Sequence, residues 1–354
     1  MNKHTERIGV VVVGGGAAGL VAAIMAARNG AKVLILEHNE VPGKKILATG
    51  NGKCNYTNKV QGVDKYYGQN PAFVAPVFEQ FGLEETLQFF KELGIYPKER
   101  NGGYYPQSEQ ATAIRDVLLM ELKKQNVGVV CGCGIRGIEK TTKGFTFHTK
   151  GGDFYATKCI MATGGKTLKK SGSDGSGFLY LESLGHHIID LVPGLIGLKG
   201  KQSFFADIAG IRADVKVDLY IESTHVCSER GELQLTNYGI SGIPVLLEES
   251  HIKAAKYANR LQTEELERFI DTVQGLRVDI TDWNTFDTAQ VTAGGVDTDE
   301  IDAETMESKL CPGLYFAGEM VDIDGICGGY NLQWAWSSGA VAGIHVAREL
   351  SRYE

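Results

Sequence analysis

"VVVVGGGAAGLVAAIMAARNGAKVLILE", residues 10–37, runs four valines into three glycines, then an alanine-rich stretch, then a second apolar run that stops on an acid. Ile8 to Val13 is a continuous apolar run, which suits a parallel strand covered on both faces. Leu20 to Arg28 carries apolar residues at helical spacing, and Lys32 to Leu36 reads as a second strand. Between the first strand and the helix, Gly14, Gly16 and Gly19 fit the spacing GxGxxG. The first permits a tight turn, the second lets backbone approach a pyrophosphate, and the third lets the helix pack on the strand. Ala17 and Ala18, with Gly19, place the free amides of the helix N-terminus toward those phosphates. Glu37 closes the second strand 23 residues after Gly14, where a carboxylate can accept hydrogen bonds from both ribose hydroxyls of an adenosine and repels a 2'-phosphate. The reading is a bound dinucleotide, and this stretch does not separate FAD from NAD.

With 354 residues the chain is long enough for two domains. A formal charge of −7 gives no broad cationic face for nucleic acid or an acidic membrane surface. No run approaches the ~20 apolar residues of a membrane span, and the opening "MNKHTERIGV" enters a strand without signal-peptide features, so a cytoplasmic protein is expected. The seven cysteines (54, 131, 133, 159, 227, 311 and 327) are spread out with no CxxC pair, which points to neither a disulfide framework nor a metal site.

After Glu37, "VPGKKILATGNGKCNYTN" (41–58) has Pro42, three glycines and three asparagines, the composition of a long polar loop rather than a helix. Lys44 and Lys45 are placed to reach phosphate or ribose oxygens, and Asn51, Gly52 and Asn55 offer donors and close backbone approach. "VGVVCGCGIRGIE" (127–139) reads as two short strands around a bend. "GFTFHTKGGDFYATKCIMATGG" (144–165) reads as an antiparallel pair entering a buried strand, so a small sheet is expected beside the nucleotide fold. The run "CIMATGG" resembles the strand ending in ATG of glutathione-reductase-type flavoproteins. That resemblance returns Gly164 to an FAD site and sets Ile135 where backbone meets adenine.

Near the C-terminus, "GLYFAGEMVDIDGICGGYNLQWAWSSGAVAG" (313–343) gives a strand, a turn at Gly318-Glu319, a glycine-rich loop and a helix. A helix N-terminus aimed at flavin N1 and O2 favours the negative charge that gathers there on reduction. Gly329 leads into that helix, and the amides of Asn331 and Leu332 are the ones placed on the flavin edge. Glu319 falls near the ribityl chain or pyrophosphate. Tyr330, Asn331, Cys54 and Cys327 are the side chains expected close to the flavin, while no short-spaced cysteine pair supports a dithiol shuttle. His186 and His187 read as structural or solvated, and no catalytic residue is assigned.

"GKKILATGNGKCNYTN", "GELQLTNYGISGIPVL", "AQVTAGGV", "TMESK" and the 313–343 segment together resemble the bacterial BaiN/YhiN-like flavoproteins, also called the aminoacetone oxidase family, over nearly the whole chain. The resemblance implies an α/β fold: a glutathione-reductase-type Rossmann FAD-binding domain with an inserted β-barrel-like and short helical substrate domain. In this sequence that divides into residues 1–190 with 311–354 for FAD and 191–310 for the insert. The helical part, residues 247–274, is shorter than the family's. FAD is then the cofactor. No second strand–GxGxxG–helix unit exists, since "GSDGSG" (172–177) lacks the preceding strand, so NAD(P)H is expected as a transient electron donor. The leading expectation is hydride transfer through flavin N5 to or from a small organic substrate held between the FAD domain and the insert, with unsaturated 3-oxo bile acids implied by the resemblance. A flavin amine oxidase using dioxygen and a flavin-containing RNA-associated protein are the alternatives. The oligomeric state stays open.

Overall fold

Four consecutive valines, Val10 to Val13, are all buried in the computed structural model, which describes residues 8–242 and 277–352. They lie in the strand Ile8–Val13, which pairs in parallel with Val33–Leu36 on one side and Gly152–Met161 on the other. A strand covered on both faces needs no polar alternation, which is why the run is apolar throughout. The helix Ala17–Arg28 follows directly, one turn earlier than the sequence pattern begins it.

These strands belong to a seven-stranded sheet. Gly128–Val130 extends it beyond Val33–Leu36, again in parallel. The long strand Gly152–Met161 joins two kinds of pairing. Its last residues, Cys159 to Met161, run parallel to Leu314–Phe316, and its first residues pair antiparallel with Gly144–Thr149, which in turn pairs with Ile135–Thr141. The small antiparallel sheet expected beside the nucleotide fold is thus continuous with the main sheet. One strand is long enough to serve both.

The final helix, Tyr330–Leu350, lies against the first. A Cβ built on Gly339 would sit 2.5 Å from the Ala18 carbonyl oxygen, and one on Gly343 2.4 Å from that of Ala22. Only glycine allows the two helices to approach this closely. Trp334 and Trp336 fill the space beyond, with the Trp336 ring edge-on to Phe90 at 5.2 Å between centroids.

Two compact units result: residues 1–195 with 290–354, and residues 196–289. Residues 290–310, read above as part of the insert, fall in the larger unit. The reason is a long-range pairing: Val291–Val296 runs antiparallel to Ile188–Gly194. Among its described residues the smaller unit has a five-stranded antiparallel order, Arg212–Ile221, Thr224–Thr236, Gly239–Gly242, Leu198–Gly200 and Ile280–Trp283. Among the described residues the two end strands do not pair. Phe204, Phe205, Ile208 and Leu235 form its core. The helical segment expected at 247–274 lies outside the described residues. Among the described residues no helix is long and apolar enough to cross a membrane, and no cluster of His, Cys, Asp or Glu could hold a metal ion.

Candidate functional site

The glycine turn is built by contacts that exclude side chains. Gly14 has φ +99°, and a Cβ there would stand 2.5 Å from the Ala162 carbonyl oxygen. Gly19 tolerates none either, since its Cβ would be 1.9 Å from the Gly14 carbonyl oxygen. Gly16 differs: nothing lies within 4 Å of a Cβ built on it. The space a side chain would fill there is open at the start of the helix, as close approach of a phosphate requires. The first backbone bond of the helix runs from Leu20 N to Gly16 O, so the amides of Ala17, Ala18 and Gly19 precede it. Ala18 is also a packing residue, because a Cβ on Gly318 would come 2.7 Å from its own Cβ.

Glu37 is buried at the end of its strand. Its Oε2 accepts the Gly15 amide at 2.6 Å, and its Oε1 accepts the backbone amide and side-chain Nδ2 of Asn39 at 2.6 and 2.8 Å. Asn39 Nδ2 also donates to Ser171 O at 2.9 Å, which draws the loop after residue 165 across this end of the site. Within that region Gly164 has φ +74°, and Ser173 Oγ and Thr163 Oγ1 are buried with no hydrogen-bond partner. Ile135 opens its strand, and its carbonyl accepts the Tyr180 hydroxyl at 2.6 Å.

Lys45 and Glu319 pair with each other. The Lys45 ammonium lies 2.6 Å from Glu319 Oε2 and 3.0 Å from Thr167 Oγ1, and Glu319 Oε1 accepts the Thr292 amide at 2.8 Å and the Thr167 hydroxyl at 3.1 Å. Two candidates drawn from opposite ends of the sequence therefore form one polar junction. The loop at 41–58 is not plain loop: it contains a 3-10 segment, Lys45–Gly52, and a short strand, Thr57–Asn58. Lys44, Asn51 and Gly52 are exposed, and no hydrogen bond among the described residues ties Asn51 or Gly52 to the other candidates.

At the second helix, Gly329 (φ +97°) precedes Tyr330, and the first backbone bond is Gln333 N to Gly329 O. The amides of Tyr330, Asn331 and Leu332 come before it, which gives a second N-terminus with its positive dipole end. Asn55 Oδ1 is buried there without a partner, 2.9 Å from the position of a Cβ on Gly329. The Asn331 side chain is spoken for: its Oδ1 accepts the Gly325 amide at 2.8 Å and its Nδ2 donates to Gly325 O at 2.6 Å. Gly318 is fixed from both sides, its amide donating to Ser338 Oγ and its carbonyl accepting Trp334 Nε1.

The donor set fits FAD. Two helix N-termini, an open Gly16, a strand-end carboxylate and buried unsatisfied oxygens on Asn55, Ser173 and Thr163 supply groups for its phosphates, sugars and rings. The sequence reading did not single out Asn39, Thr163, Thr167, Ser173 or Thr292. The run "ATGGKT" after a buried strand was the available signal for two of these. Of the two thiols expected near the flavin, Cys54 is buried, which pushes it up to about 12 and makes it a poor nucleophile, whereas Cys327 is exposed. His186 is structural, with Nδ1 2.8 Å from Glu300 Oε2, Nε2 3.0 Å from Ser308 Oγ and its ring edge-on to Phe316. His187 is exposed beside Asp297.

Comparison with known proteins follows the same line. The family described as HI0933-like protein Rossmann domain matches residues 8–345. A protein of Clostridium scindens named 3-dehydro-bile acid delta(4,6)-reductase is 40% identical, covering 96% of this chain and 98% of its own. The ribosomal RNA dihydrouridine synthase of Escherichia coli K12 is 29% identical, covering 94% of this chain and 96% of its own. Among solved structures, a 3-ketosteroid-delta4-(5alpha)-dehydrogenase from Rhodococcus jostii RHA1 matches with a TM-score of 0.55 at 16% identity, covering 98% of both chains, which shows a shared fold.

Proposed function

The chain belongs to the HI0933-like Rossmann-domain family and is an FAD-dependent oxidoreductase, and on that premise we propose that it reduces a carbon–carbon double bond conjugated to a ketone in a 3-oxo steroid of the bile-acid type. The observation that carries this reading is the 40% identity to the bile-acid reductase across almost the full length of both chains. Bound FAD would supply a hydride carrier, charged by a nicotinamide and discharged onto the double bond.

The residues divide the work along the cofactor. Glu37 holds the adenosine ribose, and the amides at 17–19 with the Gly16 backbone hold the pyrophosphate. The Lys45–Glu319 junction, with Thr167 and Thr292, would partner the ribityl hydroxyls. The amides at 330–332 would meet the pyrimidine edge, where the positive end of the helix would favour negative charge and so raise the flavin potential. Asn55 Oδ1 is an acceptor for the ring N3–H.

Glu37→Ala removes a charged acceptor and also frees the Gly15 and Asn39 amides. FAD affinity should fall by about 1.5–3 kcal/mol, the range for a hydrogen bond to a charged group. Titration of the apoprotein with FAD by fluorescence quenching measures it.

A nicotinamide is the electron donor of this reading. A nicotinamide without a Rossmann site of its own binds weakly, so bleaching of the flavin by anaerobic NADH or NADPH should half-saturate on the order of 100 μM to 1 mM, the scale of roughly −4 to −5.5 kcal/mol. The reduced protein should then be reoxidised by a 3-oxo-4-ene steroid. If amines bleach the flavin and nicotinamides do not, the chain is an amine oxidase.

A second acceptor is favoured by the relatives named for ribosomal RNA dihydrouridine synthesis. The C5=C6 bond of uridine is likewise conjugated to a carbonyl, so one hydride chemistry serves both. The formal charge of −7 weighs against an RNA-binding surface. Reoxidation of the reduced protein by a uridine-containing ribosomal RNA fragment, and not by the steroid, would reverse the preference.

A further inference from the structure

We propose that Asp324 is the proton donor of this reduction, giving its carboxyl proton to the carbon α to the carbonyl as hydride reaches the β-carbon. The proposal rests on the alkene-reductase reading above. Asp324 and Gly325 form a two-residue strand paired with Tyr67 and Tyr66. The Asn331 side chain grips both the amide and the carbonyl of Gly325, and a Cβ on Gly325 would stand 3.2 Å from Asn331 N. Asp324 is therefore held one peptide away from the helix start whose amides would meet the flavin edge.

Its neighbours are occupied. Asp322 accepts the Gln69 amide at 2.8 Å, and Glu319 is bound by Lys45, Thr167 and the Thr292 amide. Lys45, the nearby cation, is committed to Glu319. Lys65, whose carbonyl accepts the Ile326 amide, has its ammonium 2.6 Å from Asp64. The Tyr66 hydroxyl donates to Tyr330 O. Asp297 lies near Asp322, where it adds like charge. Asp324 alone in this group has a carboxyl with no hydrogen-bond or ion-pair partner among the described residues. Burial, then the charges of Asp322 and Glu319, push it up to about 6. A carboxyl that holds its proton up to about pH 6, well above the usual carboxylate range, and has nothing to donate to is available as a general acid.

The step balances. A C–H bond forms at the β-carbon with hydride from reduced FAD, the π pair moves to the α-carbon, and that carbon takes the Asp324 proton. FAD is left oxidised, the C=C bond is reduced, and the Asp324 carboxylate recovers a proton from water.

Asp324→Asn and Asp324→Glu test it in separated half-reactions. NAD(P)H should reduce both variants as it reduces the natural protein. Reoxidation of reduced Asp324→Asn by a 3-oxo-4-ene steroid should slow by about 10²- to 10⁴-fold, the worth of a general acid, with partial recovery in Asp324→Glu. The natural protein's reoxidation should fall as pH rises through about 6, and that of Asp324→Asn should stay flat. Independently of turnover, infrared spectra of the apoprotein should show a protonated carboxyl that titrates near pH 6 and is absent from Asp324→Asn. Folding is checked by the same group. Its native proton affinity is raised, so the burial cost is absent at low pH and grows as pH rises through about 6, and Asp324→Asn should be the more stable protein at alkaline pH and no different in acid. Reoxidation of Asp324→Asn at the natural rate overturns the proposal alone. Failure of any enone to reoxidise the natural protein overturns the reductase reading and the proposal with it.

Discussion

A chain that stops at residue 312 will bind no FAD, although every residue of the N-terminal glycine turn is still present. The cut removes Leu314–Phe316, which pairs with Cys159 to Met161 at the heart of the sheet, and the helix Tyr330–Leu350. That helix covers the first one so closely that Gly339 and Gly343 lie against the carbonyls of Ala18 and Ala22. It also brings Trp334 and Trp336, both almost wholly buried. Truncating one buried tryptophan to alanine costs about 3–5 kcal/mol. A whole domain has only about 5–15 kcal/mol in hand, so losing both with the sheet strand leaves no folded cradle. Gel filtration and flavin absorbance of the truncated protein measure this directly. Stoichiometric FAD on residues 1–312 would show that the cofactor is held without the returning segment.

The glycine turn should divide into a position that supports the fold and one that serves the cofactor. In Gly19→Ala the new methyl meets the Gly14 carbonyl oxygen at 1.9 Å, and the obstacle is backbone that cannot swing away. Overpacking of a tight site costs about 1–3 kcal/mol and more when backbone must move, so this variant should lose stability at or beyond the top of that range and lose FAD with it. At Gly16 a Cβ meets nothing within 4 Å, which leaves room for the valine of Gly16→Val, and the backbone, φ −78° and ψ −169°, suits any residue. Apoprotein stability should stay within roughly 0.5 kcal/mol of the natural protein. The pyrophosphate, however, would meet the valine. Loss of two hydrogen bonds to a charged group, at about 1.5–3 kcal/mol each, lowers FAD affinity by at least ~100-fold. Denaturant unfolding of both apoproteins beside FAD titrations separates the two roles.

The elements legible in the sequence were those whose signal is local. A valine run, glycines at fixed spacing and an acid at a strand end specify the first strand, turn, helix and Glu37 within 30 residues. Pairings between distant segments left no such trace. Val291–Val296 belongs with the FAD domain only because it pairs with Ile188–Gly194 some 100 residues earlier, and neither periodicity nor composition marks that partnership. Lys45 and Glu319 were each read as reaching for the cofactor, yet they are 274 residues apart in sequence and first of all partners of each other. The same limit hid Asp324. The letters "DIDG" carry two acids, but only the fold shows that one accepts a backbone amide and the other has no partner among the described residues. Asn331 was placed correctly at a helix start, whereas the role of its side chain as a clasp on Gly325 needed the loop geometry.

The most direct test of the account is to denature the purified natural protein and identify what it releases. Glu37 at the strand end and the two helix N-termini call for an adenine dinucleotide flavin, so the protein should be yellow and release stoichiometric FAD. Release of FMN, or a colourless protein that takes up no added FAD, would contradict the reading of the cradle and everything built on it.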